Sequence, residues 1–209
     1  MRKLDEGAEA VVYSSVWHGM PAVVKHRVEK PYRERQLDLS LRTERTKREI
    51  SLIVKARQAG VLCPVVFDVE PFKIMMSRLE GRMFHNEKKP DRKLIKAAAA
   101  LLAKLHSADI IHGDFTPANL MIVHEEKDEK TKNRKTQLAV IDFGLGYFST
   151  RAEDKAIDVL TMKKALHSTW PDFGLSELFV NEYAKHGAEA EAVANRIKTI
   201  EKRVRYAQR

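Results

Sequence analysis

The sequence predicts an α+β fold of two lobes, a small sheet with one main helix followed by a mostly helical half. In the first 79 residues, β-branched and aromatic side chains occur in short runs of the kind that strands favour. From Arg92 to Ser107 the chain is rich in Ala and Leu, with apolar residues at helical spacing, and after residue 153 the pattern is helical. We therefore expect one lobe in residues 1–79 and a second in residues 80–209.

Four strands and one helix are predicted in the first lobe. The polar stretch 30–40 leads into a helix predicted from Thr43 to Ala59, where Gly60 ends it. The first pair of strands flanks a glycine-containing turn, and the second pair follows the helix. The predicted strands are Leu4 to Val12, Trp17 to Lys25, Pro64 to Val69 and Lys73 to Leu79.

The second lobe is predicted to contain a hairpin as well as helices. Two short apolar runs, Leu120 to Val123 and Leu138 to Ile141, flank the highly charged insertion 125–136. This arrangement favours a hairpin whose tip is solvated. No internal repeat and no low-complexity linker interrupts the chain.

Composition limits the classes of protein to which the chain can belong. Hydrophobic residues make up 44% and charged residues 32% of 209 residues, which is enough for a packed core. The single cysteine, Cys63, excludes an internal disulfide and a cysteine-based zinc cluster, and its apolar surroundings predict burial. No signal-peptide pattern opens the sequence and no apolar run approaches the ~20 residues of a membrane span. The expected location is cytoplasmic, with no membrane partner.

The net charge of +9 indicates an acidic partner or a polyanion, because a nucleotide alone would not require so much positive charge. RNA, an acidic protein surface and a merely solvated basic surface all remain open on charge alone. The C-terminal helix and tail, residues 196–209, are expected to contribute to the basic surface.

Two motifs predict phosphoryl transfer. The segment from His112 to Asn119 fits H-x-D-x-x-x-x-N, and Asp142-Phe143-Gly144 follows a hydrophobic strand. Asp114 is expected to accept a proton from the attacking hydroxyl or to orient that hydroxyl. Asn119 and Asp142 offer oxygen ligands, which Mg²⁺ prefers. Phosphoryl transfer needs mainly positioning, metal and charge stabilisation, and these residues can supply them.

The expected upstream parts of such a site also occur in order. Lys25 ends a predicted strand and is suited to contact the phosphates of ATP, and Glu49 in the following helix could pair with it. The Gly-rich loop position is filled by Gly7, Ala8, Glu9 and Ala10, which retain one glycine. Lys25, Glu49 and Asp114 are thus the predicted catalytic residues.

Departures from the usual kinase pattern are equally informative. Gly113 occupies the position of the Arg in H-R-D, so the usual docking site for a phosphorylated activation loop is absent, and Thr116 replaces the usual Lys. No A-P-E motif follows Asp142. Such a site is expected to be active without loop phosphorylation and to lack the standard peptide platform.

At these motifs the chain resembles the small atypical Ser/Thr kinase subunit of the KEOPS complex. This family is also called the PRPK-like kinases, and the chain is most similar to its archaeal type. The resemblance runs almost end to end. The segments that carry it include Gly7 to Ala10, Leu41 to Glu49, His112 to Thr116, Ile141 to Gly146 and Glu153 to Asp158.

The resemblance implies an ATP- and Mg²⁺-dependent kinase and ATPase that supports threonylcarbamoyladenosine modification of tRNAs reading codons that begin with A. It implies three partners: the threonylcarbamoyl-transferring subunit, a small regulatory subunit on the first lobe, and tRNA. It also implies an adenine pocket. The implied pocket residues are Val12, Val23, Met76 and Met121, with backbone groups from Ser77 to Leu79 at the base edge.

Two other readings remain open. A small-molecule kinase of the aminoglycoside type shares H-x-D-x-x-x-x-N on the same fold, although the chain lacks the extra helical substrate subdomain of those enzymes. An ATP-regulated scaffold without phosphotransfer is the other, although the retention of Lys25, Asp114, Asn119 and Asp142 argues against it.

Overall fold

An antiparallel sheet forms the first lobe of the computed structural model, which describes residues 2–124, 136–171 and 174–207. Within these residues, the first lobe has five strands in the order β1-β2-β3-β5-β4. The strands are β1 (Lys3–Glu6), β2 (Ala10–Trp17), β3 (Met20–Arg27), β4 (Val66–Glu70) and β5 (Lys73–Ser77). The boundary predicted after residue 79 falls between β5 and the next strand, and the α+β fold class is confirmed.

The hairpin turn between β2 and β3 lies later than the sequence predicted. Two adjacent residues, His18 and Gly19, have φ of 46° and 83°, which is the backbone of a tight two-residue turn. Residues 13–16 therefore continue β2, and Trp17 ends that strand instead of starting the next. The predicted strand Leu4 to Val12 is divided between β1 and β2 by the loop 7–9, where the Gly7 N–H donates to the Ala10 carbonyl at 3.0 Å.

The long helix α1 (Arg35–Gln58) begins eight residues before the predicted start at Thr43. The Glu34 carboxylate caps it by accepting from the backbone N–H groups of residues 36 and 37. The buried face of its first half is polar, with Asp38, Arg42, Thr46 and Glu49 all buried. A buried helix face is recognised in a sequence by apolar residues at helical spacing, and a polar buried face lacks this pattern. The prediction therefore missed the first two turns of α1.

The described part of the second lobe contains two small sheets, β6-β8-β9 and β10-β7, and packed helices. Its strands are β6 (Gly81–Met83), β7 (Ile110–Ile111), β8 (Leu120–His124), β9 (Thr136–Val140) and β10 (Tyr147–Phe148), and its helices are α2 (Arg92–Ser107), α3 (Ala152–Thr169), α4 (Leu175–Tyr183) and α5 (Ala188–Ala207). The predicted hairpin is confirmed, since β8 and β9 pair antiparallel with Leu120 opposite Val140. The charged insertion predicted as its tip lies outside the described residues, apart from Thr136 at the start of β9. β10 pairs with β7, next to the predicted catalytic loop.

A continuous apolar core fills the second lobe and reaches α1. Leu52 and Ile53 of α1 are part of this core. Phe115 and Phe143, which belong to the two motifs predicted for phosphoryl transfer, are also part of it. Cys63 is fully buried in this core, as predicted, and burial raises the pKa of its thiol to about 11. None of the helices in the described ranges combines the length and hydropathy that crossing a bilayer requires.

Candidate active site

A cleft of about 670 Å³ separates the two lobes. The residues predicted to form the adenine pocket all line it: Val12, Val23, Met76, Ser77, Leu79 and Met121. Strand pairing explains this convergence, because Val12 lies opposite Lys25 and Val23 lies opposite Met76, and opposite residues share one face of a sheet. The apolar walls suit an aromatic base.

Lys25 lies between two carboxylates at the back of the cleft. Its Nζ is 2.7 Å from Glu49 Oε1 and 2.6 Å from Asp142 Oδ1. Burial favours the neutral amine, but the two carboxylates outweigh it and raise the pKa of Lys25. Burial likewise opposes ionisation of Asp142, yet Lys25 outweighs it and lowers the pKa of that carboxyl. The predicted partnership of Lys25 with Glu49 is present, and the site holds a fixed positive charge.

The predicted base and one predicted metal ligand are joined to each other. The Asn119 Nδ2 donates to the Asp114 carbonyl and to Asp114 Oδ2, both at 2.8 Å. An amide that donates through its nitrogen keeps its carbonyl oxygen as an acceptor for a cation. The Ile141 N–H also donates to the Asn119 carbonyl at 3.0 Å, which places Asn119 beside Asp142.

Oxygen donors in the cleft fit Mg²⁺. The Asp142 side chain is 51% exposed, and its backbone is left-handed with a φ of 57°. In the described part of the chain no group of three or more His, Cys, Asp or Glu residues could hold a metal ion without help. A cation held by Asp142 and Asn119 would need further ligands, which is typical of Mg²⁺ bound together with nucleotide phosphates.

His112 links the two motifs. Its Nε2–H donates to the Ile141 carbonyl at 3.1 Å, and its Nδ1 accepts from the Asp114 N–H at 3.3 Å. Burial lowers the pKa of His112, so the ring is neutral and this tautomer satisfies both nitrogens. The position of the Asp114 backbone is thereby coupled to the residue before Asp142.

Asp158 of α3 is a functional residue that the site prediction missed. Its carboxylate accepts from the His112 N–H at 2.6 Å and the Gly113 N–H at 2.9 Å. His106 Nε2 is 3.4 Å from the same carboxylate, and its Nδ1 is 2.7 Å from the Tyr183 hydroxyl. Asp158 is fully buried, so it anchors the catalytic loop from the helical core. The only sequence signal was the resemblance of the segment that contains it.

Arg27 was also missed. It lies two residues after Lys25 on β3, so both side chains leave the same face of the sheet. Its Nη2 is 2.5 Å from Glu49 Oε2, the oxygen that Lys25 does not contact. The alternation Lys-His-Arg on a strand was the available signal.

The predicted nucleotide loop lies outside the lining of the cleft. Among the described residues, Leu4 and Asp5 of β1 line it, and Gly7, Ala8, Glu9 and Ala10 do not. Glu9 is held toward α1, with carboxylate oxygens 2.9 Å from Arg33 and 2.6 Å from Arg45. A cofactor role for these four residues stays a prediction.

Gly113 explains the missing Arg of H-R-D. Its φ is 80°, and a Cβ there would lie 2.4 Å from the Leu145 carbonyl oxygen. The chain after Asp142-Phe143-Gly144 thus occupies the space that any side chain at this position would need.

We expect Gly113→Ala to lower the free energy of unfolding by about 2–5 kcal/mol, from the strained backbone plus the collision. Gly19→Ala is the matched control, because Gly19 has nearly the same φ, 83°, with nothing within 4 Å of its Cβ position. The control should lose about 1–2 kcal/mol. Urea unfolding of both variants makes the comparison, and equal losses would contradict the close approach of Leu145.

Known proteins resemble this chain in sequence and in fold. Residues 68–179 match the model of the lipopolysaccharide kinase (Kdo/WaaP) family. Of solved structures, the Rio2 kinase–ADP/Mg²⁺–phosphoaspartate complex from Chaetomium thermophilum superimposes with a TM-score of 0.68 at 18% identity, over 95% of this chain and 70% of that one. WaaP in complex with acyl carrier protein gives 0.67 at 15% identity, over 99% and 87%. These two likenesses concern the fold alone.

Two relatives found by sequence share a higher identity with this chain than these two structures do. A probable bifunctional tRNA threonylcarbamoyladenosine biosynthesis protein of Methanosarcina mazei is 38% identical over 98% of this chain but only 35% of its own length. The chain thus spans about a third of the length of such relatives. The probable serine/threonine-protein kinase BUD32 homolog of Archaeoglobus fulgidus is 36% identical, over 90% of this chain and 89% of the relative. Because this likeness extends over nearly all of both chains, the protein belongs to the BUD32 family of kinases. This is the KEOPS kinase family that the chain resembles at its motifs.

Proposed function

We propose that the chain is an ATP-dependent Ser/Thr protein kinase and ATP hydrolase that supports threonylcarbamoyladenosine modification of tRNA. The observation that carries the proposal is the convergence of Lys25, Glu49 and Asp142 within 2.7 Å contacts at the back of one cleft. Asn119 lines the same cleft, and Asp114, which does not line it among the described residues, is joined to Asn119 by a hydrogen bond of 2.8 Å. This is the set of charges that phosphoryl transfer requires.

Each part of the cleft has a distinct task in this proposal. The apolar residues of β2, β3 and β5 with Met121 hold the adenine, and the backbone of residues 77–79 bonds to its edge. Lys25 contacts the phosphates while Glu49 holds its ammonium group. Asn119 and Asp142 would hold Mg²⁺, which when bound supplies charge neutralisation for the phosphates.

Asp114 acts on the acceptor. A hydroxyl oxygen forms a bond to the γ-phosphorus, the bond from that phosphorus to the β-phosphate oxygen breaks, and the hydroxyl proton passes to the Asp114 carboxylate. Water in place of a serine hydroxyl gives hydrolysis by the same path. The hydrogen bond from Asn119 Nδ2 fixes the orientation of the Asp114 carboxylate.

The biological setting is inferred from the relatives. Several are named as probable bifunctional tRNA threonylcarbamoyladenosine biosynthesis proteins. This chain matches about a third of the length of each of them. We infer that the chain works in the KEOPS complex in the cytoplasm, beside the threonylcarbamoyl-transferring subunit and with the small regulatory subunit on its first lobe. The net charge of +9 supports tRNA as a partner.

A second candidate is a kinase with a small or lipid-linked acceptor, related to the aminoglycoside-type alternative. It is favoured by the match of residues 68–179 to the lipopolysaccharide kinase model. The longer likeness to the BUD32 homolog makes it the weaker candidate.

Turnover of radiolabelled ATP distinguishes the candidates. We expect the isolated chain to release labelled phosphate and to label serine residues slowly, and to hydrolyse ATP faster when the transferase partner and tRNA are added. Lys25→Ala is the control and should weaken both nucleotide binding and rate. Preferential labelling of an aminoglycoside or a lipopolysaccharide core would favour the second candidate. Tight nucleotide binding without turnover under any condition would favour a scaffold.

A further inference from the structure

Glu49 is held by two cations, one on each carboxylate oxygen. Lys25 Nζ is 2.7 Å from Oε1, and Arg27 Nη2 is 2.5 Å from Oε2. The side chains of Glu49 and Arg27 are only 1% and 4% exposed. Such a buried, hydrogen-bonded arrangement defines the carboxylate position in a way that a single lysine does not.

The four charges of this cluster balance in the structure, with Lys25 and Arg27 facing Glu49 and Asp142. A bound nucleotide would change that balance. A cation held at Asp142 would compete with Lys25 for this carboxylate, and the phosphates would attract the Lys25 ammonium toward the cleft. Glu49 would then depend on a weakened contact to Lys25, and an uncompensated buried carboxylate is costly. The contact from Arg27 would compensate the Glu49 carboxylate in that case too.

Arg27 lies behind the cleft and not in its wall. Among the described residues it does not line the cleft, whereas Lys25 and Glu49 do. Its Nη2 is 3.5 Å from the position of a Cβ on Gly144, so it packs under the Asp142-Phe143-Gly144 turn. The Arg27 backbone N–H donates to the carbonyl of Phe72, the residue before β5, at 2.8 Å. This bond fixes the Arg27 backbone at the end of β3. Arg27 therefore contacts Glu49 without lining the cleft among the described residues.

Helix α1 is joined to β3 by this contact. The helix has another buried ion pair near its start, with Arg42 Nε 2.5 Å from Asp38 Oδ2. In the usual kinase pattern, an activation loop docked on the Arg of H-R-D helps to position this helix. That docking site is absent here because Gly113 occupies the position of the Arg. The contact from Arg27 supplies a constraint from within the first lobe.

We propose that Arg27 is a positioning residue that holds Glu49, and through it Lys25 and helix α1, in the nucleotide-binding arrangement without any phosphorylation. The proposal rests on nucleotide binding in the cleft, as proposed above. It differs from direct phosphate binding by Arg27, which would place the guanidinium in the cleft wall.

The test measures the affinity of the full chain with Mg²⁺ for two nucleotides, ADP and a non-hydrolysable ATP analogue. Arg27→Gln should weaken both by about tenfold, in equal proportion, because a misplaced Lys25 affects the α- and β-phosphates that the two nucleotides share. Arg27→Lys keeps the charge without the planar fork and should weaken both by about threefold. Arg48→Gln is the matched control, since Arg48 is on the exposed face of α1 and pairs only with Glu44 in the described contacts.

Two further readouts separate positioning from a general structural role. In a Lys25→Met background, Arg27→Gln should add less than about a twofold loss, because its effect passes through Lys25. Without nucleotide, amides of α1 between residues 42 and 56 should exchange faster in Arg27→Gln than in Arg48→Gln. If Arg27→Gln does not fold, Arg27→Lys carries all three measurements.

Several results would overturn the inference. A larger loss for the ATP analogue than for ADP would make Arg27 a γ-phosphate ligand. Full additivity with Lys25→Met, or unchanged affinity for both nucleotides, would remove the link through Glu49. If the unaltered chain bound neither nucleotide, the proposed function would fail as well, and exchange in α1 would still report whether Arg27 holds the helix.

Discussion

Asp114→Asn is expected to slow phosphoryl transfer by about 10²–10⁴-fold, the usual contribution of a positioned general base. The amide of Asn cannot take a proton from the attacking hydroxyl. It keeps an acceptor for the bond that Asn119 Nδ2 donates at 2.8 Å, so the loop should hold its shape. ATP affinity should therefore change little.

Single-turnover rates and equilibrium binding on the same preparation test this expectation. Lys25→Ala provides the contrast, because loss of the ammonium that contacts Glu49 and Asp142 should weaken binding as well as rate. If Asp114→Asn lost ATP binding as much as it lost rate, Asp114 would be a structural residue of the loop and not the base.

Asp142→Ala is expected to reduce turnover by at least about 10³-fold, because both metal binding and phosphate positioning depend on this carboxylate. The side chain is half exposed, so the apolar core should not be disturbed. The substitution also leaves Lys25 with Glu49 alone, and the strain of alanine at a φ of 57° adds a small cost in stability.

Asp142→Asn separates these effects. Asparagine tolerates the left-handed backbone and can still accept from the Gly144 N–H, which lies 2.9 Å from Asp142 Oδ1, but it lacks the charge. Turnover measured against Mg²⁺ concentration should show a raised requirement in Asn and no recovery in Ala. Normal turnover of either variant at ordinary Mg²⁺ would remove Asp142 from the metal site.

Much of the cleft could be predicted from sequence because its chemistry is encoded in short motifs. Asp114 and Asn119 are five residues apart in one loop motif, and the structure joins them by a hydrogen bond. Lys25 lies in a predicted strand and Asp142 follows another, and both residues line the cleft. The hairpin of β8 and β9 was likewise predicted, because two apolar runs separated by polar residues have few other solutions.

Errors arose where the local pattern was atypical. The first two turns of α1 were missed because their buried face is made of Asp38 and Arg42, which look like solvent-facing residues in a sequence. The turn of the first hairpin was misplaced because His18 takes a left-handed backbone that glycine and asparagine adopt more often.

By itself, then, the sequence determined the fold class, the strand lysine and the two loop motifs, since each depends on residues close together in the chain. Tertiary structure alone decided how the motifs are supported. Arg27 meets Glu49 across 22 positions and His112 meets Asp158 across 46, so packing selects these partners from many equivalent charges. The physical reason is burial: an ionised or hydrogen-bonding group inside the molecule must find its partner in space, and spacing along the chain does not identify that partner.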